Sequence, residues 1–327
     1  MNIIVTGCAG FIGSRVAELL LNEEHTVYGV DNIDSSYDRR LKQWRLDRLE
    51  SYDNFVFENT DITDEKKLSE LFRTILVKNK TELDAVINLA AKAGVRRSID
   101  EPAAYYRTNL IGVLNLLELC RQFKINKFVQ ASTSSVYGGN DVPFSEHQKT
   151  DRQLSPYASS KKSAELLCYT YHSLYGTDMT VLRYFTVYGP AGRPDMSPFR
   201  FIKWTVEGED ISIYGDGGQM RDFTYVDDVA RGTILGLGEQ GYKIINLGSN
   251  RPVELAKFLE IIQTSAGKKS NIVYGPVNPA DVMVTWADIS AAKELLGWKP
   301  AVSLEDGISR SVDWYVQNRD WAKKILL

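Results

Sequence analysis

The run Ile3-Ile4-Val5-Thr6-Gly7-Cys8-Ala9-Gly10-Phe11-Ile12-Gly13 constrains the fold more than any other stretch of this chain. An apolar strand ends in a glycine-spaced turn, and the turn opens an amphipathic helix expected over residues 14–21. Gly7 permits a tight turn, Gly10 lets the backbone approach a pyrophosphate, and Gly13 lets the helix pack close to the strand. The helix start offers free N–H groups and partial positive charge to phosphates. A second strand, 26–30, ends in Asp31, eighteen residues after Gly13. A carboxylate there bonds the hydroxyls of an adenosine ribose and repels a 2′-phosphate, so NAD is expected over NADP. The expected cofactor contacts here are Gly7, Gly10, Phe11, Ile12, Gly13, Asp31 and Asn32.

Apolar strands at 54–58, 85–89, 127–131 and 180–184 alternate with helical patterns at 65–77, 103–123 and 157–175. Such alternation implies βαβ units, hence an α/β protein with a Rossmann-type, doubly wound parallel sheet. Ligands of these sheets gather at the carboxyl ends of the strands. The residues placed there are Asp61 and Ile62, Leu89, Ala90, Ala91 and Lys92, the run Ser132-Thr133-Ser134-Ser135, and Thr186. Arg39 and Arg40 are expected in a solvated polar loop. After residue 185 the texture changes to a Gly/Pro loop at 189–194, a helix at 199–207 and a strand at 211–214. Asp227 is expected to cap the next helix. The segment 244–247 should return to the large sheet, and helices near 254–265, 290–296 and 304–318 end the chain. A Rossmann domain is therefore expected over 1–184 plus about 226–252. A smaller, discontinuous α/β substrate lobe is expected over 185–225 and 253–327.

Tyr157 and Lys161 stand four apart in the run 157–175, so they share one helix face. An ammonium beside a phenol favours the phenolate, lowering a pKa that is about 10 when free. The product is a base able to take a proton from a sugar or alcohol hydroxyl near neutral pH. At 43% hydrophobic and 25% charged residues the composition is that of a globular protein. A net charge of −3 gives no footprint for nucleic acid or an anionic membrane. No stretch approaches a membrane span, and the chain opens directly into a strand, so a cytoplasmic location is expected. Cys8, Cys120 and Cys168 are scattered and read as reduced thiols, while His25, His147 and His172 have no metal-ligand spacing.

Together these motifs resemble the extended short-chain dehydrogenase/reductase family, in its nucleotide-sugar epimerase/dehydratase branch. The resemblance covers the whole chain: Thr6–Gly13, Asp61-Ile62, Asn88–Ala91, Ala131–Gly138, Tyr157-x-x-x-Lys161, Arg183–Pro190 and Arg221–Asp228. It implies that Thr133, Tyr157 and Lys161 are the catalytic set. Thr133 bonds the sugar 4-hydroxyl, Tyr157 is the base, and Lys161 holds the nicotinamide ribose and lowers the tyrosine pKa. Cofactor contacts are also expected at Asn109, Tyr184 and Val187. Dehydratases of the family carry Asp-Glu after the threonine, and decarboxylases a glutamate at the second of these positions. Ser134 and Ser135 stand there instead, which leaves oxidation and re-reduction. Thr186 replaces the asparagine usual in enzymes acting on UDP-glucose and UDP-galactose. The loop 186–196 resembles that of enzymes acting on UDP-glucuronate. Ser134, Ser135 and Thr186 are expected to bond a uronate carboxylate. Arg193 is expected to clamp it or steady the loop, and Arg221 to bind the UDP diphosphate. Lys92 departs from the family's glutamine and contacts cofactor, sugar or solvent. Asn278-Pro279-Ala280-Asp281 has alanine for the usual glycine, so no diphosphate contact is assigned to it. The implied activity is C4 epimerisation of UDP-glucuronate to UDP-galacturonate through a 4-keto sugar, in a homodimer joined by helices 103–123 and 157–175. A UDP-glucose/UDP-galactose epimerase and a catalytically silent NAD-sensing scaffold remain open.

Overall fold

In a computed structural model of the chain, which describes residues 1–239, 241–276 and 282–327, seven strands form one sheet. They are β1 (Asn2–Thr6), β2 (Thr26–Asp31), β3 (Phe55–Asn59), β4 (Ala85–Asn88), β5 (Lys127–Thr133), β6 (Asp178–Tyr184) and the strand Tyr242–Leu247. The spatial order is Tyr242–Leu247, β6, β5, β4, β1, β2, β3, with every neighbouring pair parallel. The central strands are apolar on both faces because both faces are covered. Ile3, Val5, Ile87 and Val129 enter one core, and Ile4, Val86 and Phe128 enter the other. The chain winds outward from β1 through β2 to β3, then crosses back to β4 on the far side of β1. That reversal opens a crevice at the carboxyl ends of β1 and β4. The doubly wound sheet expected from the alternation is the one formed, and the 244–247 segment does return to it.

Local signals set the helices that matter. Helix α1 (Phe11–Asn22) starts at the glycine loop, with Gly10 as N-cap, no capping side chain and no acidic residue in its first turn. The helix Pro156–Tyr175 is started by the Ser155 hydroxyl, which accepts the Ala158 N–H at 3.1 Å, and by Pro156 in the first turn. Gly176, left-handed at φ 70°, ends it.

Two expectations fail here. Arg39 and Arg40 are exposed, as expected, but not in a loop; they open helix α2 (Arg39–Leu49), and Arg40 pairs with its N-cap Asp38. The buried residues of α2 are Leu41, Lys42, Arg45, Leu46 and Leu49. Their spacing is helical, but two of them are charged, which hides the pattern from hydropathy. Asp227 does not cap the helix Val226–Leu235, whose N-cap is Tyr225; it sits in the first turn and binds Arg15 at 2.6 Å. Favourable interaction with the helix dipole and an arginine replaces a capping bond.

Two smaller sheets complete the fold. Pro252–Glu254, Met220–Tyr225 and Thr186–Tyr188 form one, and Ile272–Gly275 with Ile211–Tyr214 form the other. A third core, including Tyr188, Phe223, Phe258 and Tyr315, packs beneath them and also takes in Leu41 of α2. The Asn278–Asp281 turn lies outside the described residues.

Candidate active site

A cleft of about 620 Å³ opens over the carboxyl ends of the large sheet. Its floor is the glycine loop. The Gly7 N–H donates to Val30 O at 2.7 Å and the Gly10 N–H to Gly7 O at 2.9 Å. A Cβ on Gly13 would stand 2.0 Å from Gly7 O, and one on Gly7, at φ +70°, would stand 2.7 Å from Ala90 N. Only glycine fits either place, and the cradle so formed faces the uncapped start of α1, as a pyrophosphate requires. Phe11 and Ile12 line the same wall.

Asp31 ends β2 in the cleft, nearly buried at 7% exposure. Its Oδ2 accepts the Ala9 N–H at 3.2 Å and its Oδ1 the Ile33 N–H at 2.8 Å. Lys42 Nζ lies 3.5 Å from Asp31 and 2.6 Å from Asp34, and Lys92 Nζ reaches Asp34 at 3.4 Å. Burial would raise the Asp34 pKa, but hydrogen bonds from Lys42 and Ser36 and the charges of both lysines hold it well below the usual carboxylate range. Lys92 thus lines the cleft beside the acidic cluster rather than facing open solvent. Asn32 donates to Asp61 at 2.6 Å. Burial pushes the Asp61 carboxyl up, and the Thr63 and Asn32 bonds bring it net down. Ile62, Leu89, Ala90 and Ala91 complete this end.

Thr133, Tyr157 and Lys161 come together at the other end, where β5 runs into the turn Ser134–Tyr137. Thr133 Oγ1 accepts the Ser135 N–H at 3.2 Å, so the same hydroxyl that faces the cleft also shapes the turn. Lys161 is 3% exposed, and burial brings its pKa down to about 8 against the pull of Cys168 and Glu165. Glu165 is itself held by Arg183 at 2.7 and 2.8 Å and by Ser132 at 2.6 Å. Tyr157 departs from the sequence expectation. Burial raises its pKa, and the groups that oppose this are the Thr133 hydroxyl and Arg193 rather than Lys161. Desolvation of the phenolate outweighs a lysine whose own charge is weakened by the same burial.

Ser134, Ser135, Thr186 and Arg193 line the cleft beside this set, as do Tyr184 and Val187. Arg193 pairs with Asp195 at 2.6 Å and donates to Ala93 O at 3.2 Å, which ties the loop to the β4 side. Two expected residues lie outside the lining. Asn109 is 1% exposed and bonds the Lys92 backbone twice, at 2.9 Å, and the Ser160 hydroxyl at 2.9 Å. It couples the β4 loop to the Tyr157 helix. Arg221 donates to Met220 O and Met283 O at 2.9 and 3.2 Å. Sequence reading missed Asp34, Ser36, Tyr37 and Lys42, all in the lining. The helical spacing of Leu41, Lys42, Arg45, Leu46 and Leu49 is the signal that could have found Lys42, had two of the five not been charged.

A model of the family described as GDP-mannose 4,6 dehydratase matches residues 4–311. A protein named UDP-glucuronate 4-epimerase, from Thermodesulfobacterium geofontis, is 53% identical over 323 residues, 98% of each chain. The crystal structure of UDP-glucuronic acid 4-epimerase from Bacillus cereus, with UDP-glucuronic acid and NAD, superposes at TM-score 0.90 and 38% identity, covering 97% of this chain and 100% of that one. UDP-glucose 4-epimerase of Thermotoga maritima, with UDP-glucose, gives TM-score 0.87 at 34% identity over 98% of this chain and 100% of its own. By its glycine loop, its Tyr-x-x-x-Lys helix and these matches, the chain belongs to the GDP-mannose 4,6 dehydratase family of extended short-chain dehydrogenase/reductases.

Proposed function

We propose that this protein is an NAD-dependent epimerase that interconverts UDP-glucuronate and UDP-galacturonate at C4. One observation carries the reading: Thr133, Tyr157 and Lys161 share a single cleft with the glycine cradle, and the two positions after Thr133 are serines. NAD, when bound, supplies the acceptor and later the donor of one hydride. Gly7, Gly10, Gly13 and Asp31 would hold it, with Lys42 and Lys92 balancing the acidic end. Tyr157 takes the proton of the sugar 4-hydroxyl and returns one after the 4-keto sugar has turned over. Thr133 bonds that oxygen, and Lys161 orients the ribose beside it. Ser134 and Ser135 follow Thr133 where elimination of water would use a carboxyl pair. Ser134, Ser135 and Thr186 offer hydroxyls to the uronate carboxylate, and Arg193 offers charge. Held away from the alignment needed for C–C cleavage, that carboxylate is retained although the intermediate is a β-keto acid.

The catalytic lobe comprises 1–184 with 226–252, and the remainder holds the nucleotide sugar. A homodimer is supported by apolar side chains left exposed on two helices: Ile111 at 45%, Leu166 at 57%, Tyr169 at 55% and Leu174 at 66%. No helix of the described residues is long and apolar enough to cross a membrane. The three free, buried thiols suit the reducing cytoplasm. Incubating the protein with UDP-glucuronate and following products by NMR tests the reading, and UDP-galacturonate is the expected product. Faster turnover of UDP-glucose on the same preparation would replace it with a hexose epimerase. Absence of turnover of either sugar with added NAD would favour a silent NAD-binding scaffold.

A further inference from the structure

The helix Pro156–Tyr175 carries a third ionisable group in step with Tyr157 and Lys161. Glu165 stands one turn past Lys161 and two past Tyr157, so the three run along one side of the helix. Glu165 is 1% exposed and lies behind the cleft wall rather than in it. Hydrogen bonds converge on its carboxylate. Ser132 Oγ donates to Oε1 at 2.6 Å, Arg183 Nε to Oε1 at 2.8 Å, Arg183 Nη2 to Oε2 at 2.7 Å, and Lys162 Nζ to Oε2 at 3.0 Å. Ser132 immediately precedes Thr133 on β5, and Arg183 stands opposite Ser132 on β6. The strand end that presents the Thr133 hydroxyl is thereby pinned to the helix that presents Tyr157 and Lys161.

Arg183 extends the brace. Its guanidinium sits 4.8 Å from the Tyr137 ring, in the turn that follows Thr133, and the Tyr137 hydroxyl donates to Asn246 at 2.7 Å. A buried ion pair adds little net stability, because desolvation of both charges offsets most of their attraction. Its fixed geometry and its local charge are what remain. Around the helix, Tyr105 stands against Tyr157, Cys120 against Cys168 and Arg183 against Glu165, and the groups whose charge acts on Lys161 are Cys168 and Glu165. Burial pushes the Cys168 thiol well up, so it is uncharged near neutral pH. Burial would raise the Glu165 carboxyl too, but Arg183, Lys162 and Ser132 bring it net down, and it stays an anion. Glu165 is therefore the anion that opposes loss of the Lys161 proton.

We propose that Glu165 is a positioning residue of the catalytic set: its carboxylate braces the Thr133 strand against the Tyr157 helix and keeps the buried Lys161 ammonium charged. It stands outside the cleft lining and acts through Ser132 and Lys161. Substitution separates its two duties. Glu165→Gln keeps the length of the brace and removes the charge. Glu165→Asp keeps the charge and draws the carboxylate back by one methylene. The turnover readout below rests on the epimerase reading, whereas the titration readout needs no substrate.

The first test follows the melting temperature of the full chain, without added ligand, as a function of pH. The part of its rise with pH that Lys161→Met removes reports Lys161 alone. Without the Glu165 charge, Lys161 gives up its proton more readily, and the folded state gains over the unfolded one from a lower pH. That part of the rise should therefore begin about one pH unit lower in Glu165→Gln and stay in place in Glu165→Asp. A merely structural Glu165 would lower melting at every pH without moving that onset. The second test is turnover of UDP-glucuronate. Glu165→Asp should lower kcat by about tenfold or more, with KM changed less than about twofold, because the groups that face the sugar are untouched. An unmoved onset in Glu165→Gln, or full kcat in Glu165→Asp, would overturn the proposal. Should Glu165→Gln fail to fold, the kcat of Glu165→Asp decides. If the unaltered protein turns over neither sugar, the epimerase reading fails and the melting comparison still decides the role of Glu165.

Discussion

At Tyr157, burial and hydrogen bonding pull in opposite directions. The phenol is driven up by desolvation and held back by Thr133 and Arg193. Removing the Thr133 hydroxyl therefore lets the phenol rise further. Thr133→Val should shift the alkaline-going limb of the kcat profile to higher pH, since the base must lose its proton to act. Tyr157→Phe should lower kcat by about a thousandfold at every pH, because no neighbouring group replaces the lost base. A profile unmoved in Thr133→Val would show that the threonine acts only as the cap of its turn. Lys161 has its own signature in stability. Its folded pKa of about 8 lies below the free value of 10.5, so between these the unfolded chain binds the extra proton. Stability of the cofactor-free protein should rise with pH from about 8 toward 10, as measured by thermal melting, and Lys161→Met should flatten that rise.

At the scale of elements, the first βα unit leaves no room for a side chain at its glycines. A single added methyl on Gly13 meets Gly7 O at 2.0 Å, backbone against backbone, so the loop must shift. Gly13→Ala should cost about 1–3 kcal/mol of stability and weaken NAD binding by at least tenfold, read by denaturant unfolding and by titration of NADH fluorescence. Native-like affinity in that variant would remove the close approach as the reason for glycine. This unit was legible in the sequence because strand, turn and helix are local and each glycine has a local steric duty. Helix α2 was not. Its inward face carries Lys42, met by Asp34 in the preceding loop, and Arg45, met by carbonyls at Ala9 and Ala191, groups distant in sequence. Asp227 misled for a similar reason, since its partner Arg15 stands 212 positions away.

For the whole molecule, the exposed apolar side chains at Ile111, Leu166, Tyr169 and Leu174 set an expectation about assembly. Sedimentation should find a dimer, and Leu166→Glu with Tyr169→Glu should convert it to monomer without loss of the fold by circular dichroism. A monomer in the unaltered protein would contradict the homodimer. The sequence by itself determined the doubly wound sheet, the glycine cradle and the shared helix face of Tyr157 and Lys161, because periodicity and short-range sterics act between near neighbours, while Thr133 was implied only by the family resemblance. Only the tertiary structure decided which charges are buried and by what they are met. It put Asn109 behind the cleft wall, Lys42 and Lys92 within it, and reversed the expected pKa shift of Tyr157. Burial and long-range pairing are properties of the packed chain, and no spacing along the sequence encodes the dielectric that surrounds a side chain.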